Sequence, residues 1–352
     1  GLFRVTAKIS DALIEYGTGW PVIEGLNTDM LFEGKRMELN ANKGHILGNK
    51  IIKSKTEIPQ LDADWPILRI VSEVEGPVVE GIKFVNQSPV KLVTQGFTDD
   101  LKTAGNGKLN LELNIPMQDL DAAKYKGVYK ISNGTIFANA NVGLPELSKL
   151  NGVLNFTESN LTTQNVSTEI LGGPAQFSLA TGADKILRIK ANGRIADAGI
   201  KKLASNALID SMQGSADWTG EITIKKPLVD VNIQSNLVGM AINLPAPFTK
   251  PANQSMALSL DKKQQNPTND SINISYGNMI AAKLLRTEQA GKLAFERGDI
   301  GINMPAELPS QAGLALHGKL EYLKADDWLA LFNQSPKNTN ATLIKINKAN
   351  LE

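Results

Sequence analysis

Chemistry needs reactive side chains brought together, and this chain offers few candidates. His45 and His317 are its two histidines. They are far apart in sequence, and neither stands in an HExxH or HxH pattern, so no local metal-binding pair is encoded. His317 falls on the wet face of an alternating segment, beside Leu316 and Gly318. Asp99-Asp100 and Asp326-Asp327 are adjacent carboxylates. Metal sites and glycosidase pairs need carboxylates converging from different segments, which adjacency does not supply. Asp326 reads as a first-turn helix residue before Trp328. No GxSxG elbow, P-loop or dinucleotide fingerprint occurs, and "GNGKLN" (105–110) reads as a hairpin turn. The chain has no cysteine, which excludes thiol catalysis, cysteine-bound zinc and disulfides. The expectation is a protein that is not an enzyme, with no catalytic residue, no metal site and no cofactor.

The elements that would position any site are strands. In "GKLNLELNI" (107–115), Leu109, Leu111, Leu113 and Ile115 point one way, and Lys108, Asn110, Glu112 and Asn114 the other. Val229, Val231 and Ile233 alternate with Asp230, Asn232 and Gln234. Ile272, Ile274 and Tyr276 alternate with Asn273 and Ser275, and Leu314, Leu316 and Leu320 with Ala315, His317 and Lys319. The template counts about twenty strands, and their one-wet-face pattern predicts antiparallel pairing. Ile58-Pro59, Ile115-Pro116, Leu144-Pro145, Leu244-Pro245 and Met304-Pro305 end strands or guard edges, because proline donates no ladder bond. Asn-x-Ser/Thr triplets, beginning at Asn86, Asn133 and Asn155, read as wet strand faces rather than glycosylation acceptors.

One amphipathic helix is predicted over 197–213. Asp197 is its N-cap, Ile200, Leu203, Ala204, Ala207, Leu208 and Met212 form its apolar face, and Gly214 is its stop. Its aliphatic face fits a plug against one end of a sheet better than a membrane surface. A shorter helix is predicted over 325–332. An internal repeat lays 19–48 over 143–172 without a gap, matching Gly19, Pro21, Leu26, Asn27, Phe32, Ile46, Leu47 and Gly48 to Gly143, Pro145, Leu150, Asn151, Phe156, Ile170, Leu171 and Gly172. The spacing after each copy is irregular, which favours one elongated repetitive sheet over 1–352 rather than separate domains. Tyr16, Trp20 and Trp65 flank turns and are expected to pack over sheet edges. A net charge of +1 implies no bulk attraction to nucleic acid or anionic lipid. No apolar run reaches the ~18–20 residues that span a bilayer. The chain opens in mid-strand at Gly1, as a piece of a longer protein would, with any anchor or export signal outside it.

"GWPVIEGLNTDMLFEGKRMEL" (19–39), "ADWPILRI" (63–70), "SADW" (215–218), "LPAPFTKPA" (244–252) and "GLALHGKLEYLKADDW" (313–328) together resemble the AsmA-like family of large Gram-negative envelope proteins, in particular its YhdP type. The resemblance runs over essentially the whole chain. It implies a periplasmic protein, anchored in the inner membrane by an N-terminal helix absent here and reaching toward the outer membrane. It further implies transport of glycerophospholipid along a β-sheet curled into a groove, and a link to outer-membrane permeability and envelope polysaccharide homeostasis. It supplies no catalytic residues.

About twenty strands spaced at ~4.8 Å would make a sheet roughly 95 Å wide that must twist and curl. Two short helices cannot cover its dry face. A second sheet, as in a sandwich or solenoid, or a guest could; with the resemblance, the expected fold is mainly β, an elongated, curled antiparallel sheet forming a groove, with the helix near 198–212 beside it. Acyl chains of a phospholipid or similar lipid would suit such a face, because they need apolar area and little geometry. The expected groove lining is Leu109, Leu111, Leu113, Ile115, Val229, Val231, Ile233, Ile272, Ile274, Leu314 and Leu316. At each of these, ordinary protein core is the competing reading. The rival function is a structural or assembly scaffold with a filled β core that binds envelope proteins. A carbohydrate-binding β-protein is a weaker third, since four Trp and five Tyr offer few stacking platforms.

Overall fold

The computed structural model describes residues 3–15, 19–88, 91, 98–99, 101–138, 145–203, 206–225, 228–334 and 346–351. Alternating aliphatic and polar residues, many of them β-branched, give the strands their period of two. In chain order these are β1 (Arg4–Ile14), β2 (Ile23–Glu33), β3 (Arg36–Ile46), β4 (Asn49–Ile58), β5 (Ile67–Pro77), β6 (Thr103–Pro116) and β7 (Lys124–Ile136). They continue as β8 (Leu147–Thr157), β9 (Leu161–Ile170), β10 (Gly173–Thr181), β11 (Leu187–Ala196), β12 (Met212–Lys225), β13 (Leu228–Ser235) and β14 (Met240–Ile242). The last are β15 (Leu258–Asn266), β16 (Asn269–Tyr276), β17 (Ile280–Gln289), β18 (Lys292–Ile302), β19 (Gly313–Gly318) and β20 (Ile346–Leu351). All twenty belong to one mixed sheet.

The chain divides into two compact units. The first comprises Gly1–Asn139, Glu146–Thr168 and Ser178–Lys185. There β1 to β8 form a meander in which each strand pairs antiparallel with the next. The second comprises Ala140–Pro145, Glu169–Phe177 and Ile186–Glu352. Its strands from β11 to β18 are also antiparallel. The short β14 pairs with the start of β12, so β13 runs directly against β15. The antiparallel expectation ends at β18. Strands β18–β19 and β19–β20 are parallel. Parallel neighbours need a crossover rather than a hairpin, and the segments 303–312 and 319–345 supply the chain length for it.

Among the described residues four α-helices are delimited between strands: α1 (Val78–Asn86), α2 (Asp197–Leu203), α3 (Ala207–Asp210) and α4 (Ala325–Gln334). Sequence periodicity misses α1, whose paired valines read as strand. It begins directly after Pro77, a residue that donates no ladder bond and suits a helix entry. The single helix expected over 197–213 is instead two. Asn206 is extended (φ −158°), and its Oδ1 accepts from the Leu208 and Ile209 amides at 3.1 and 3.0 Å. That cap starts a fresh turn in mid-sequence. Met212 already belongs to β12, and Gly214 is a strand residue at φ 97° rather than a stop. Ala204 lies outside the described residues. The helix expected at 325–332 is α4.

The repeat seen in the sequence has a backbone counterpart. Residues 19–48 contain the hairpin β2–β3, and 143–172 contain β8 and β9. Gly143 and Leu144 lie outside the described residues. Equivalent positions carry the same left-handed backbone: Gly25 and Lys149 at φ 61° and 51°, Leu47 and Leu171 at 53° and 50°. Asn27 Oδ1 accepts from the amide of Asp11 and Asn151 Oδ1 from that of Asn133, both at 2.9 Å. Both of those donors also have positive φ, 54° and 48°. The helices repeat the theme. The amide of Gly48 donates to Glu80 of α1 at 3.3 Å, while Gly172 packs against Gly199 of α2. The next strand has its own matching glycine, Gly105 or Gly214, at φ 98° and 97°. The repeated unit is thus β1–β6 with α1, followed by β7–β12 with α2.

Two glycines in the first unit lie beneath aromatic rings. A Cβ on Gly127 would overlap the Phe156 ring, and one on Gly107 would overlap Tyr129. The rings thereby lie flat along the sheet. Gly127→Val is expected to cost about 1–3 kcal/mol in urea unfolding through overpacking. Val128→Thr, next to it on the exposed face, should stay within about 0.5 kcal/mol.

Candidate functional site

Register converts the alternation into a surface, because cross-strand partners share a face. In the first unit Leu113 stands between Ile70 and Tyr125, and its rung continues through Thr56, Leu39, Met30 and Ala7. The next rung holds Ile9, Thr28, Ala41, Ser54, Ser72, Leu111, Gly127 and Phe156. Leu109 lies between Val74 and Tyr129, and Ile115 beside Leu68. All four expected lining residues on β6 are half-buried, whereas Lys108, Asn110, Glu112 and Asn114 are exposed.

The second unit brings the other seven onto one face. Val231 lies on a rung with Ile189, Ile222, Lys262, Ile272, Leu284, Gly298 and Leu314. Ile233 shares the adjacent rung with Ala191, Gly220, Leu260, Ile274, Ala282, Ile300 and Leu316. Val229 continues the face through Ile224 and Leu187. Each of the seven is half-buried. A second sheet packed on this face would bury such side chains, as the inner faces of a sandwich are buried. The face is therefore mainly apolar across each unit's strands, interrupted by Thr28, Ser54, Thr56 and Ser72 in the first unit and Lys262 in the second, and only partly covered by the described residues.

Helices close one end of each apolar face. In the first unit Gly81 of α1 lies at the Tyr129 hydroxyl, and Phe84 stands 5.9 Å from Trp20. Trp65, by contrast, is 65% exposed at the opposite ends of the strands, and Tyr16 lies outside the described residues. In the second unit Ala216, Leu237, Met240 and Ile242 form a buried core, with Ile195, Ile200, Met212, Leu258 and Tyr276 packed around it. Residues of 197–213 thus serve as a plug. Lys250 pins the core on which the plug packs. It is wholly buried, and its Nζ donates to the carbonyls of Leu237, Met240 and Pro251 at 2.7, 2.7 and 3.1 Å.

At the other end of the second face sits a charged group that the sequence reading missed. Asp270 is fully buried and accepts from Arg286 Nε and Nη2 at 2.8 and 2.5 Å. Lys262 Nζ lies 3.6 Å from Asp270 Oδ2 and donates to the Val229 carbonyl at 3.2 Å. The signal was one of phase. Lys262 follows Leu258 and Leu260, Arg286 follows Ala282 and Leu284, and Asp270 precedes Ile272 and Ile274. Each charge occupies a dry-phase position.

The opposite face of the first unit is ionic. A shallow cavity of about 490 Å³ is lined by residues of both phases, among them Lys53, Glu73, Glu112 and Lys126 but also Ser72, Leu111, Gly127 and Phe156. Glu73 bridges Lys108 at 2.5 Å and Lys53 at 3.3 Å. The Lys108 hydrogen bond holds its carboxyl below the usual range. His317 is no free surface group. Its Nδ1 lies 3.0 Å from the buried Asp299 and its Nε2 3.2 Å from the Pro305 carbonyl, so it braces the crossover between β18 and β19. His45 is half-buried on β3, opposite Lys50. Asp326 and Asp327 occupy the first turn of α4. Asp99 pairs with Lys91 at 3.0 Å, and Asp100 lies outside the described residues. Among the described residues no cluster of three metal-ligating side chains forms, and no helix is long and apolar enough to cross a membrane.

These features define a β-sheet protein with an incompletely covered aliphatic face. The chain matches the YhdP protein family over residues 1–352 and belongs to it. No curated protein and no solved structure matches.

Burial pushes the Lys250 ammonium below the usual lysine range. A lysine with a depressed folded pKa binds fewer protons folded than unfolded in that window, so stability rises there with pH. Lys250→Met leaves the carbonyls of the buried Leu237 and Met240, and that of Pro251, without this donor and is expected to cost about 2–4 kcal/mol in urea unfolding at pH 7. The deficit should widen as pH rises toward the unfolded lysine value of about 10.4.

Proposed function

We propose that this chain is a non-enzymatic lipid-transfer segment whose apolar face carries phospholipid acyl chains between the inner and outer membranes. The observation that carries this reading is the half-burial of mainly apolar rungs that no second layer among the described residues covers. Each methylene moved from water onto such a face gains about 0.8 kcal/mol, without directional bonds. A chain of a dozen methylenes therefore needs a track rather than a pocket. Membership of the YhdP family supports the envelope setting and a periplasmic location. No cofactor, metal or nucleic acid enters the reading. The headgroup stays in water at the margin of the sheet, and the protein performs no bond chemistry.

The alternative is a periplasmic scaffold with a filled β core, affecting outer-membrane permeability through protein partners. A filled core calls for buried lining residues, and half-burial of all eleven favours the lipid reading. Photo-crosslinkers placed at Leu111 and Ile274 in cells should capture phospholipid, while those at Asn110 and Asn273, one residue out of phase, should not. Purely intramolecular crosslinks at Leu111 and Ile274 would favour the scaffold.

A further inference from the structure

The charged group on the apolar face of the second unit holds one more cation than anion. Asp270 is satisfied by Arg286 alone, through two parallel hydrogen bonds. Lys262 is then a second cation on the same rungs, its side chain only 16% exposed, between Val231 and Ile272. Among the described residues no other carboxylate lies within 4.0 Å of either cation. One buried carboxylate thus serves two cations, and the group keeps a net positive charge, partly desolvated, beside aliphatic surface. Arg286 bonds Asp270 through Nε and Nη2, and its Nη1 has no acceptor among the described residues on a side chain 30% exposed. The nearest apolar neighbours are those of the proposed track. Ile272 and Leu284 lie on the Lys262 rung, and Ile274 is two residues further along β16, about 6.6 Å away.

We infer that Lys262 and Arg286 form an anion site for the phosphate of a phospholipid, whose acyl chains lie on Ile272, Ile274 and Leu284. This inference rests on the lipid-carrying reading and adds to it a preference for a phosphate-bearing headgroup. Asp270 fixes the guanidinium and, with the Val229 carbonyl, aims the ammonium. The phosphate oxygens accept from Lys262 Nζ and Arg286 Nη1. The plug closes the other end of the face, so the polar end is where the headgroup meets water.

The test uses the whole chain, mixed with vesicles containing phosphatidylglycerol and diacylglycerol of the same acyl chains, and reads bound lipid by native mass spectrometry. The wild-type protein should retain phosphatidylglycerol over diacylglycerol by about tenfold, the scale of one charge-assisted hydrogen bond. Lys262→Met should lose most of that preference with diacylglycerol retention unchanged, because Asp270 keeps Arg286. Lys262→Arg should restore it. Glycerol 3-phosphate in millimolar excess should leave retention unaltered; displacement by it would assign the site to a free phosphate ester and overturn the lipid assignment. Equal retention of both lipids by wild type and Lys262→Met would overturn the anion site and leave the track standing. Retention of neither lipid by the wild type would overturn both. A Lys262→Met protein that loses both lipids while keeping the wild-type unfolding midpoint would make Lys262 part of the track wall and refute its phosphate role.

Discussion

Aliphatic surface left against water is disfavoured by about 25 cal/mol for each Å², and the rest of this molecule is arranged around such a surface. A β-ladder satisfies its own backbone, so a sheet can extend by adding strands without a second layer. What it cannot do alone is cover a dry face. Side chains such as Leu111 and Ile274 are each shielded by neighbours on adjacent strands, and only to half-burial. The opposite face needs no cover, because Lys53, Glu73, Lys108 and their partners neutralise one another in water.

The other elements manage the ends of that face. The two helices that follow β5 and β11 lie at equivalent places in a repeated unit. Each is fastened to the Leu-Gly turn of its own hairpin, through Glu80 on Gly48 in one case and Gly199 against Gly172 in the other. In the second unit the Lys250 ammonium locks the core beneath the plug by binding three carbonyls. Beyond β18 the sheet turns parallel, and the Asp299–His317–Pro305 contact holds the first crossover in place. Burial is therefore concentrated at these ends, leaving the aliphatic band between them.

Much of this was legible in the sequence because parity in a strand has no ambiguity. Once Leu109, Leu111 and Leu113 alternate with polar residues, their common face follows. The repeat was visible because Leu26, Asn27, Leu47 and Gly48 recur as Leu150, Asn151, Leu171 and Gly172, residues at bulges and turns that hold the hairpin. Three features were hidden for specific reasons. The Val78-Val79 start of α1 looks like strand, and only Pro77 and the packing of Val78 decide otherwise. The break at Asn206 depends on a cap that a helical periodicity simply overruns. The Lys262–Asp270–Arg286 group joins three strands, so its members meet only when the register is known. Read singly, each was one polar residue in an apolar phase.

The central claim is that a guest, not more protein, completes the cover of the apolar face. Native mass spectrometry of the chain purified from cells without detergent tests this most directly. The account predicts folded protein carrying mass increments of diacyl lipids, released on collisional activation. A folded population that carries no lipid, at the bare chain mass throughout, would contradict it.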